Sequence, residues 1–356
     1  MEPVNIYDFE RLAQKKLTKM AFDYYASGSC DEITVRENHE AFDKIHLKYR
    51  VLKNVSATDI QTSVLGQNIS FPVMIAPAAF QGLAHPDAEL AAVRAASEMG
   101  TIFVLSTLSN ASVEDVVKAS STPVWFQLYI YKDREATKEL IQRADRAGCR
   151  VLVVTVDAPY LGKRERDLRN QFKPPEELEL KNMSRAMTEA DVKAGEGSGL
   201  AGYFASNLDP SISWKDIAWL RSITKLPIVL KGIGCKEDAE IACEHSVEGI
   251  VVSNHGGRQL DTSKAAIEVL PEVAEAVTGK TEILMDGGIR RGTDVLKAIA
   301  LGAKAVLIGR PALWGLAVDG KQGVKQVLDI LKKEFNLAMA LCGCRSVGEI
   351  SRELIC

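Results

Sequence analysis

From residue 71 onward the chain alternates short apolar runs, rich in β-branched residues, with longer stretches of helical period. Eight runs stand out: 73–78, 101–106, 124–129, 151–156, 228–231, 249–253, 282–286 and 305–308. Most are continuously apolar, the pattern of parallel strands buried on both faces. Between them lie amphipathic stretches such as 87–99, 134–147, 236–243 and 292–301. Several end at a glycine just before the next run, namely Gly100, Gly148 and Gly302. Glycine most readily takes the left-handed backbone that stops a helix. Strands and helices in alternation predict an α/β fold with a parallel sheet covered by helices. Eight such units favour a closed (β/α)8 (TIM) barrel over an open doubly wound sheet. No Gly-x-Gly-x-x-Gly follows the first run, which counts against a dinucleotide-binding fold.

The regular spacing breaks once, between Val156 and Ile228. The middle of this interval, 176–199, is charged, contains Gly and Ser, and has little periodicity. Long loops in compact domains tend to be functional or mobile. This one, extended to about residue 205, reads as a lid over the barrel's C-terminal face. Residues 1–70 read as a helical N-terminal extension, because 6–25 is amphipathic. The chain, 356 residues long, is thus expected to be a single domain, with the extension at 1–70 and the barrel at 71–356. A hydrophobic share of 46% with 26% charged residues fits a globular chain. The net charge of -3 gives no reason to expect nucleic acid or an anionic membrane as partner. No run approaches the roughly 20 apolar residues of a membrane span. The N-terminal Met-Glu-Pro-Val-Asn has neither the basic nor the apolar part of a signal peptide. The C-terminal Glu-Leu-Ile-Cys is not a Ser-Lys-Leu peroxisomal address. The seven scattered cysteines read as reduced thiols. A cytoplasmic setting is the expectation.

Barrel chemistry sits where strands end at the C-terminal face, and the ends of these runs are polar. Ser106 ends the second run, Gln127 and Tyr129 lie in the third, and Thr155 and Asp157 close the fourth. Lys231 ends the fifth, Ser253-Asn254-His255-Gly256-Gly257-Arg258 the sixth, Asp286-Gly287-Gly288-Ile289-Arg290 the seventh and Gly309-Arg310 the eighth. Polar residues at seven converging strand ends are better explained by one site than by separately satisfied loops. The last two loops occupy the usual phosphate position of such barrels. Their glycines let backbone N–H groups approach oxygens, and Arg290 and Arg310 add charge and bidentate hydrogen bonds. Lys231 has two readings that spacing does not separate. It could form a Schiff base, as in an aldolase, or stay charged and face an anion, such as the N1–C2 carbonyl edge of a reduced flavin. His255 is the sharpest signal, since an imidazole at a glycine-rich strand end suits proton abstraction near neutral pH. Asp157 could orient it, and Arg258 is close enough in sequence to hold a substrate carboxylate. His39, His46, His85 and His245 lack such a context and read as surface or packing residues. No His/Asp/Glu cluster has metal-ligand spacing, so no metal is expected.

Ser-Asn-His-Gly-Gly-Arg-Gln-Leu-Asp (253–261) closely resembles the signature of the FMN-dependent α-hydroxy-acid oxidases, a family that includes glycolate oxidase, lactate oxidase and the flavin domain of flavocytochrome b2. The resemblance spans nearly the whole chain. It includes Tyr24, Ala76-Pro77-Ala78-Ala79, Gln127-Leu128-Tyr129, Thr155-Val156-Asp157-Ala158-Pro159, Gly162-x-Arg164, Lys231-Gly232, Asp286-Gly287-Gly288-x-Arg290-Arg291-Gly292 and Gly309-Arg310-Pro311. It implies FMN as cofactor and a small 2-hydroxy acid and O2 as reactants, with a homotetramer as the assembly. Pro77, Ala78 and Ala79, with Ser106, Gln127, Thr155 and Ser253, would contact the isoalloxazine ring. Lys231 would face its N1/O2 edge, which disfavours the aldolase reading. Asp286, Gly287, Gly288, Arg290, Gly309 and Arg310 would hold the phosphate. Arg164 and Arg258, helped by Tyr24, would clamp the substrate carboxylate, and Tyr129 would hydrogen-bond its hydroxyl or carbonyl oxygen. His255, oriented by Asp157, would take the proton.

Departures from the family pattern bear on the substrate. Glycolate oxidases of the family typically carry tryptophan where this chain has Leu108 and a small aliphatic residue where it has Phe204. Ala78 and Phe80 stand where threonine and methionine are frequent. An apolar Leu108 favours L-lactate or a longer acid over glycolate, by about 0.8 kcal/mol per buried CH2. Ala79, where some dehydrogenase members carry glycine, is compatible with oxidase behaviour. No haem domain precedes the barrel and no apolar insertion lengthens the fourth loop, which favours O2 as acceptor. The alternatives are a flavin dehydrogenase using another acceptor and a non-redox lyase using Lys231 as a Schiff base.

Overall fold

The structure, a computed structural model, describes residues 2–175, 177–182, 202 and 206–356. The chain begins with α1 (Ile6–Lys16) and α2 (Lys19–Ala26), which are separate helices. Leu17 is extended between them, and the Thr18 hydroxyl accepts from the Ala21 N–H to start the second. After α3 (Ile33–Asp43) comes an antiparallel hairpin, β1 (Thr62–Val64) and β2 (Gln67–Ile69), turning at Leu65-Gly66 in left-handed backbone. The first 70 residues are therefore not wholly helical. Val64 and Ile69 of this hairpin join Met74, Val104, Trp125, Val153, Val229, Val251 and Leu284 in one apolar cluster. Trp125 Nε1 donates to Gln67 Oε1 at 3.0 Å, and the Leu65 N–H donates to Glu282 Oε2 at 2.8 Å. The hairpin thereby plugs the N-terminal end of the barrel, leaving the opposite end for chemistry.

The barrel runs β3 (Val73–Ile75), α4 (Ala88–Glu98), β4 (Phe103–Leu105), α5 (Val113–Ala119), β5 (Val124–Leu128), α6 (Arg134–Ala147) and β6 (Leu152–Thr155). After the short α7 (Glu165–Arg169) and α8 (Trp214–Ile223) come β7 (Ile228–Ile233), α9 (Lys236–Glu244), β8 (Gly249–Val252), α10 (Ala266–Val277), β9 (Glu282–Asp286), α11 (Gly292–Ala300), β10 (Ala305–Ile308) and α12 (Arg310–Leu341). Each barrel strand pairs in parallel with the next, and β10 closes onto β3 with Val306 opposite Val73. All eight expected strands are present. Their continuous apolar character has the expected cause: one set of side chains fills the interior, and the alternate set, such as Val73, Ile75, Phe103, Leu105 and Phe126, packs under the helices. Gly100, Gly148 and Gly302 have positive φ at the expected helix stops. The first strand is shorter than its apolar run because residues 76–79 leave the ladder to line a cleft. α12 is broken at Asp319-Gly320 and packs on α1 and α4.

Most of the expected lid, with Phe204, lies outside the described residues. Its beginning, 177–182, docks on the loop after β4. Asn182 Oδ1 accepts from the Val113 N–H at 2.8 Å, and its Nδ2 donates to the Ala111 carbonyl at 3.2 Å and to Ser109 Oγ at 2.5 Å. Among the described residues no helix is long and apolar enough to cross a membrane.

Candidate active site

The C-terminal ends of the strands form a floor of two hydrogen-bonded groups. On one side Ser106 Oγ and the Thr107 N–H donate to Gln127 Oε1 at 3.4 and 3.2 Å, and Gln127 Nε2 donates to Thr155 Oγ1 at 3.0 Å. On the other, Lys231 Nζ donates to Ser253 Oγ at 3.0 Å and pairs with Asp286 Oδ2 at 2.8 Å. Burial alone would depress the Lys231 ammonium, but Asp286 and Asp157 outweigh it and raise its pKa above the usual lysine value. An amine held protonated in this way is a poor Schiff-base nucleophile.

Above this floor lies a cleft of about 1030 Å³, part of it open to solvent. It is lined by Pro77, Ala78, Ala79, Ser106, Leu108, Gln127, Tyr129, Thr155, Lys231 and His255, by Tyr24, Arg164 and Arg258, and by Asp286, Gly287, Gly288, Arg290, Gly309 and Arg310. Residues from all eight strand ends and from the N-terminal extension are thus brought together. Ser253 is not among the lining residues. Its hydroxyl accepts from Lys231 and from the His255 N–H, each at 3.0 Å, holding both. Asp157 also stands behind the wall, where its Oδ1 meets His255 Nδ1 at 2.9 Å. That bond fixes a proton on Nδ1 and leaves Nε2 as the basic nitrogen. Burial lowers the His255 pKa below its usual value, against the opposing pull of Asp157. Burial would raise Asp157, but His255 and Lys231 keep its carboxyl below the usual range. The pair therefore rests as neutral imidazole beside carboxylate.

Four arginines crowd the same space. Burial and neighbouring Arg258 push the Arg164 pKa down to about 10, and burial with Arg258 and Arg290 pushes Arg310 down to about 9. Among the described residues none of the four is ion-paired to a carboxylate within 4.0 Å. Such a concentration of cationic groups favours anionic ligands. Arg258 lies over the Tyr24 ring at 5.1 Å and donates to the Tyr24 and Ser27 carbonyls at 2.6 and 3.0 Å. Tyr24 is itself stacked on Phe172 at 4.4 Å. Arg310 donates to the carbonyls of Tyr25, Gly256 and Ser27, each at 2.9 Å, leaving only part of its fork for a ligand. Its expected bidentate grip is limited accordingly, because it also braces the N-terminal extension.

Whether these residues fit a bound FMN can be tested on the polar atoms left over. Asp286 Oδ1, Arg290 Nε and Arg164 Nε are buried without a hydrogen-bond partner. Buried polar groups are seldom left so, and these carry donors and an acceptor suited to a polar, anionic ligand. Gly287 and Gly288, with φ of +97° and +83°, line the cleft with Arg290, and their missing side chains let α3 seat against the back of the loop. The floor, the cationic groups and the glycine loop fit the cofactor.

Two residues, Tyr25 and Asn38, escaped the sequence reading, and His39 was read only as surface or packing. Tyr25 lines the cleft, and its hydroxyl donates to the Phe80 carbonyl at 2.6 Å. Its signal was adjacency to Tyr24. Asn38 and His39, on α3, face the Asn254 and Gly288 loops. His39 is a packing residue as expected, but one packed on the glycine loop. Nothing in the pattern of α3 marks either as belonging to a site.

The FMN-dependent dehydrogenase family profile matches residues 13–356. The chain is 52% identical to 2-hydroxyacid oxidase 1 of Homo sapiens, over 98% of this chain and 95% of that one. It is also 52% identical to the L-lactate oxidase of Nostoc sp., over 99% and 98%. A solved structure of mandelate oxidase with (S)-4-hydroxymandelic acid matches at a TM-score of 0.94 and 41% identity, covering 98% of both chains. With a closed eight-stranded barrel, a cleft that fits the cofactor and identity at this level over nearly its full length, the chain belongs to the family of FMN-dependent 2-hydroxy-acid oxidases.

Proposed function

We propose that this chain oxidises an L-2-hydroxy acid to the 2-oxo acid, prefers L-lactate or a longer acid to glycolate, and passes the electrons to O2. The observation that carries the reading is the His255–Asp157 pair, set at 2.9 Å beside a cleft also lined by Arg164 and Arg258. Bound FMN supplies the two-electron acceptor, and its reoxidation by O2 would give hydrogen peroxide. Pro77, Ala78, Ala79, Ser106, Gln127 and Thr155 would border the isoalloxazine ring, and Lys231 would place its fixed positive charge at the N1/O2 edge. Asp286 to Arg290, Gly309 and Arg310 would hold the ribityl-phosphate end. Arg164 and Arg258 would hold the substrate carboxylate, with Tyr24 supporting Arg258 from below its guanidinium. Tyr129 would donate to the substrate's oxygen, since burial, with Asp157 adding to it, raises its phenol pKa well above the usual value and keeps it protonated. His255 Nε2 would accept one proton, and Asp157 would stabilise the imidazolium that forms.

Leu108 supports the substrate preference. It is buried at 2% exposure, lines the cleft, and offers an apolar surface where a planar donor stands in glycolate oxidases. The similarity to a structure holding (S)-4-hydroxymandelic acid supports the configuration and room for a side chain. Leu108→Trp is expected to lower kcat/KM for 2-hydroxyoctanoate relative to glycolate by about tenfold. An unchanged ratio would remove Leu108 from the selectivity. Stoichiometric peroxide release under air is the expected result for an oxidase; its absence, with turnover intact on an artificial acceptor, would favour a dehydrogenase.

A further inference from the structure

We propose that Asn38 and His39, consecutive on α3, are positioning residues that tie the cofactor's phosphate end to the loop carrying His255. Asn38 is 3% exposed and makes a reciprocal amide pair with Asn254. Its Nδ2 donates to Asn254 Oδ1 at 2.9 Å, and Asn254 Nδ2 returns a bond to Asn38 Oδ1 at 2.8 Å. Asn254 Oδ1 also accepts from the Gly257 N–H at 3.1 Å, and its Nδ2 donates to the Lys264 carbonyl at 3.1 Å. The segment so clamped is left-handed throughout, with φ of 57°, 65° and 74° at His255, Gly256 and Gly257, and of these only His255 carries a steric cost for it. A left-handed histidine persists only where its surroundings over-determine it, and the Asn38–Asn254 pair is part of that determination.

One residue along the same helix, His39 Nδ1 lies 3.1 Å from the Gly288 carbonyl, so it must be the protonated nitrogen. Burial, with Arg290 and Arg310 nearby, pushes the His39 pKa down to about 3, so this donor stays neutral beside the two cations. The helix backbone also seats against the glycine loop, since a Cβ on Gly288 would come within 1.9 Å of the Asn38 carbonyl oxygen. A single helical turn therefore sets the distance between the phosphate loop and the base loop. Arg310, at the same phosphate end, adds a second link by donating to the Gly256 carbonyl at 2.9 Å, so the α3 tether acts alongside it.

The inference rests on the family's FMN site and on His255 as base, and its test separates the two. Apoprotein of the wild type, Asn38→Ala and His39→Leu is titrated with FMN and with riboflavin, following flavin fluorescence. Both variants should bind FMN about tenfold more weakly, with riboflavin affinity held within about twofold, because only FMN engages the phosphate loop. FMN-saturated Asn38→Ala should also be reduced by L-lactate about tenfold more slowly than wild type, with a smaller effect in His39→Leu. Equal losses for FMN and riboflavin, or an unchanged reduction rate in Asn38→Ala, would overturn the proposal. If Asn38→Ala does not fold, Asn38→Ser is a smaller change with the same expected order of effects. Should no 2-hydroxy acid reduce even the wild type, the proposed substrate class fails while the FMN and riboflavin comparison still decides the positioning role.

Discussion

His255 joins two demands that rarely coincide in one residue. Its backbone is left-handed at φ 57°, and its ring, 20% exposed at the cleft, is bonded to Asp157 at 2.9 Å. Burial favours the neutral, basic form, and Asp157 favours the cation formed after proton transfer. His255→Gln should keep the bound flavin and its yellow colour but lose on the order of 1000-fold in flavin reduction rate. Near-normal reduction in that variant would take His255 out of the base role. In the wild type the base must be unprotonated and its pKa is lowered, so kcat/KM should stay flat from alkaline pH down to below the usual histidine value, then fall with further acid. A fall beginning well above pH 6.5, the ordinary histidine value, would contradict this. At this scale the strand-end residues were legible because barrel chemistry has a fixed place relative to strand termini. Asn38 and His39 were not, since their partners lie 216 and 249 residues away and α3 carries no local pattern pointing to them.

Several elements hold the site through contacts that a substitution can break singly. Gly288→Ala would put a methyl within 1.9 Å of the Asn38 carbonyl at a φ of +83°. It should displace α3 or the loop and leave the purified protein depleted of FMN. Full retention of cofactor would show that the helix and the loop are not so tightly seated. A second tether is Glu89 in α4, whose carboxylate accepts from the Asn110 and Ala111 N–H groups of the loop after β4, the loop that carries Leu108. Burial raises its pKa to about 7. A raised folded-state value means that stability is fully present below the unfolded pKa and declines as pH rises through about 7. Glu89→Gln, uncharged throughout, should therefore gain relative to wild type by on the order of 3 kcal/mol between acid and alkaline pH. Denaturant titrations at both ends check this, and a difference independent of pH would refute it. The hairpin at residues 62–69 shows where element reading stops. Its strands are three residues each, too short for a period-2 signal, and its apolar side chains are explained only by the open barrel end they fill.

Over the whole molecule the barrel was legible because closure leaves each strand buried on both sides, which writes continuous apolar runs into the sequence. The shape of the cleft was less so, since it depends on the N-terminal extension reaching across it. Tyr24, Tyr25 and Ser27 supply the carbonyls on which Arg258 and Arg310 rest. The proposed cleft joins an FMN site to a clamp and base for 2-hydroxy acids, with an apolar far side. The direct measurement is anaerobic mixing of the purified yellow protein with L-lactate, glycolate and 2-hydroxyoctanoate, following the flavin absorbance. Bleaching is expected, faster with L-lactate or the longer acid than with glycolate. Bleaching by none of the three would contradict the proposal.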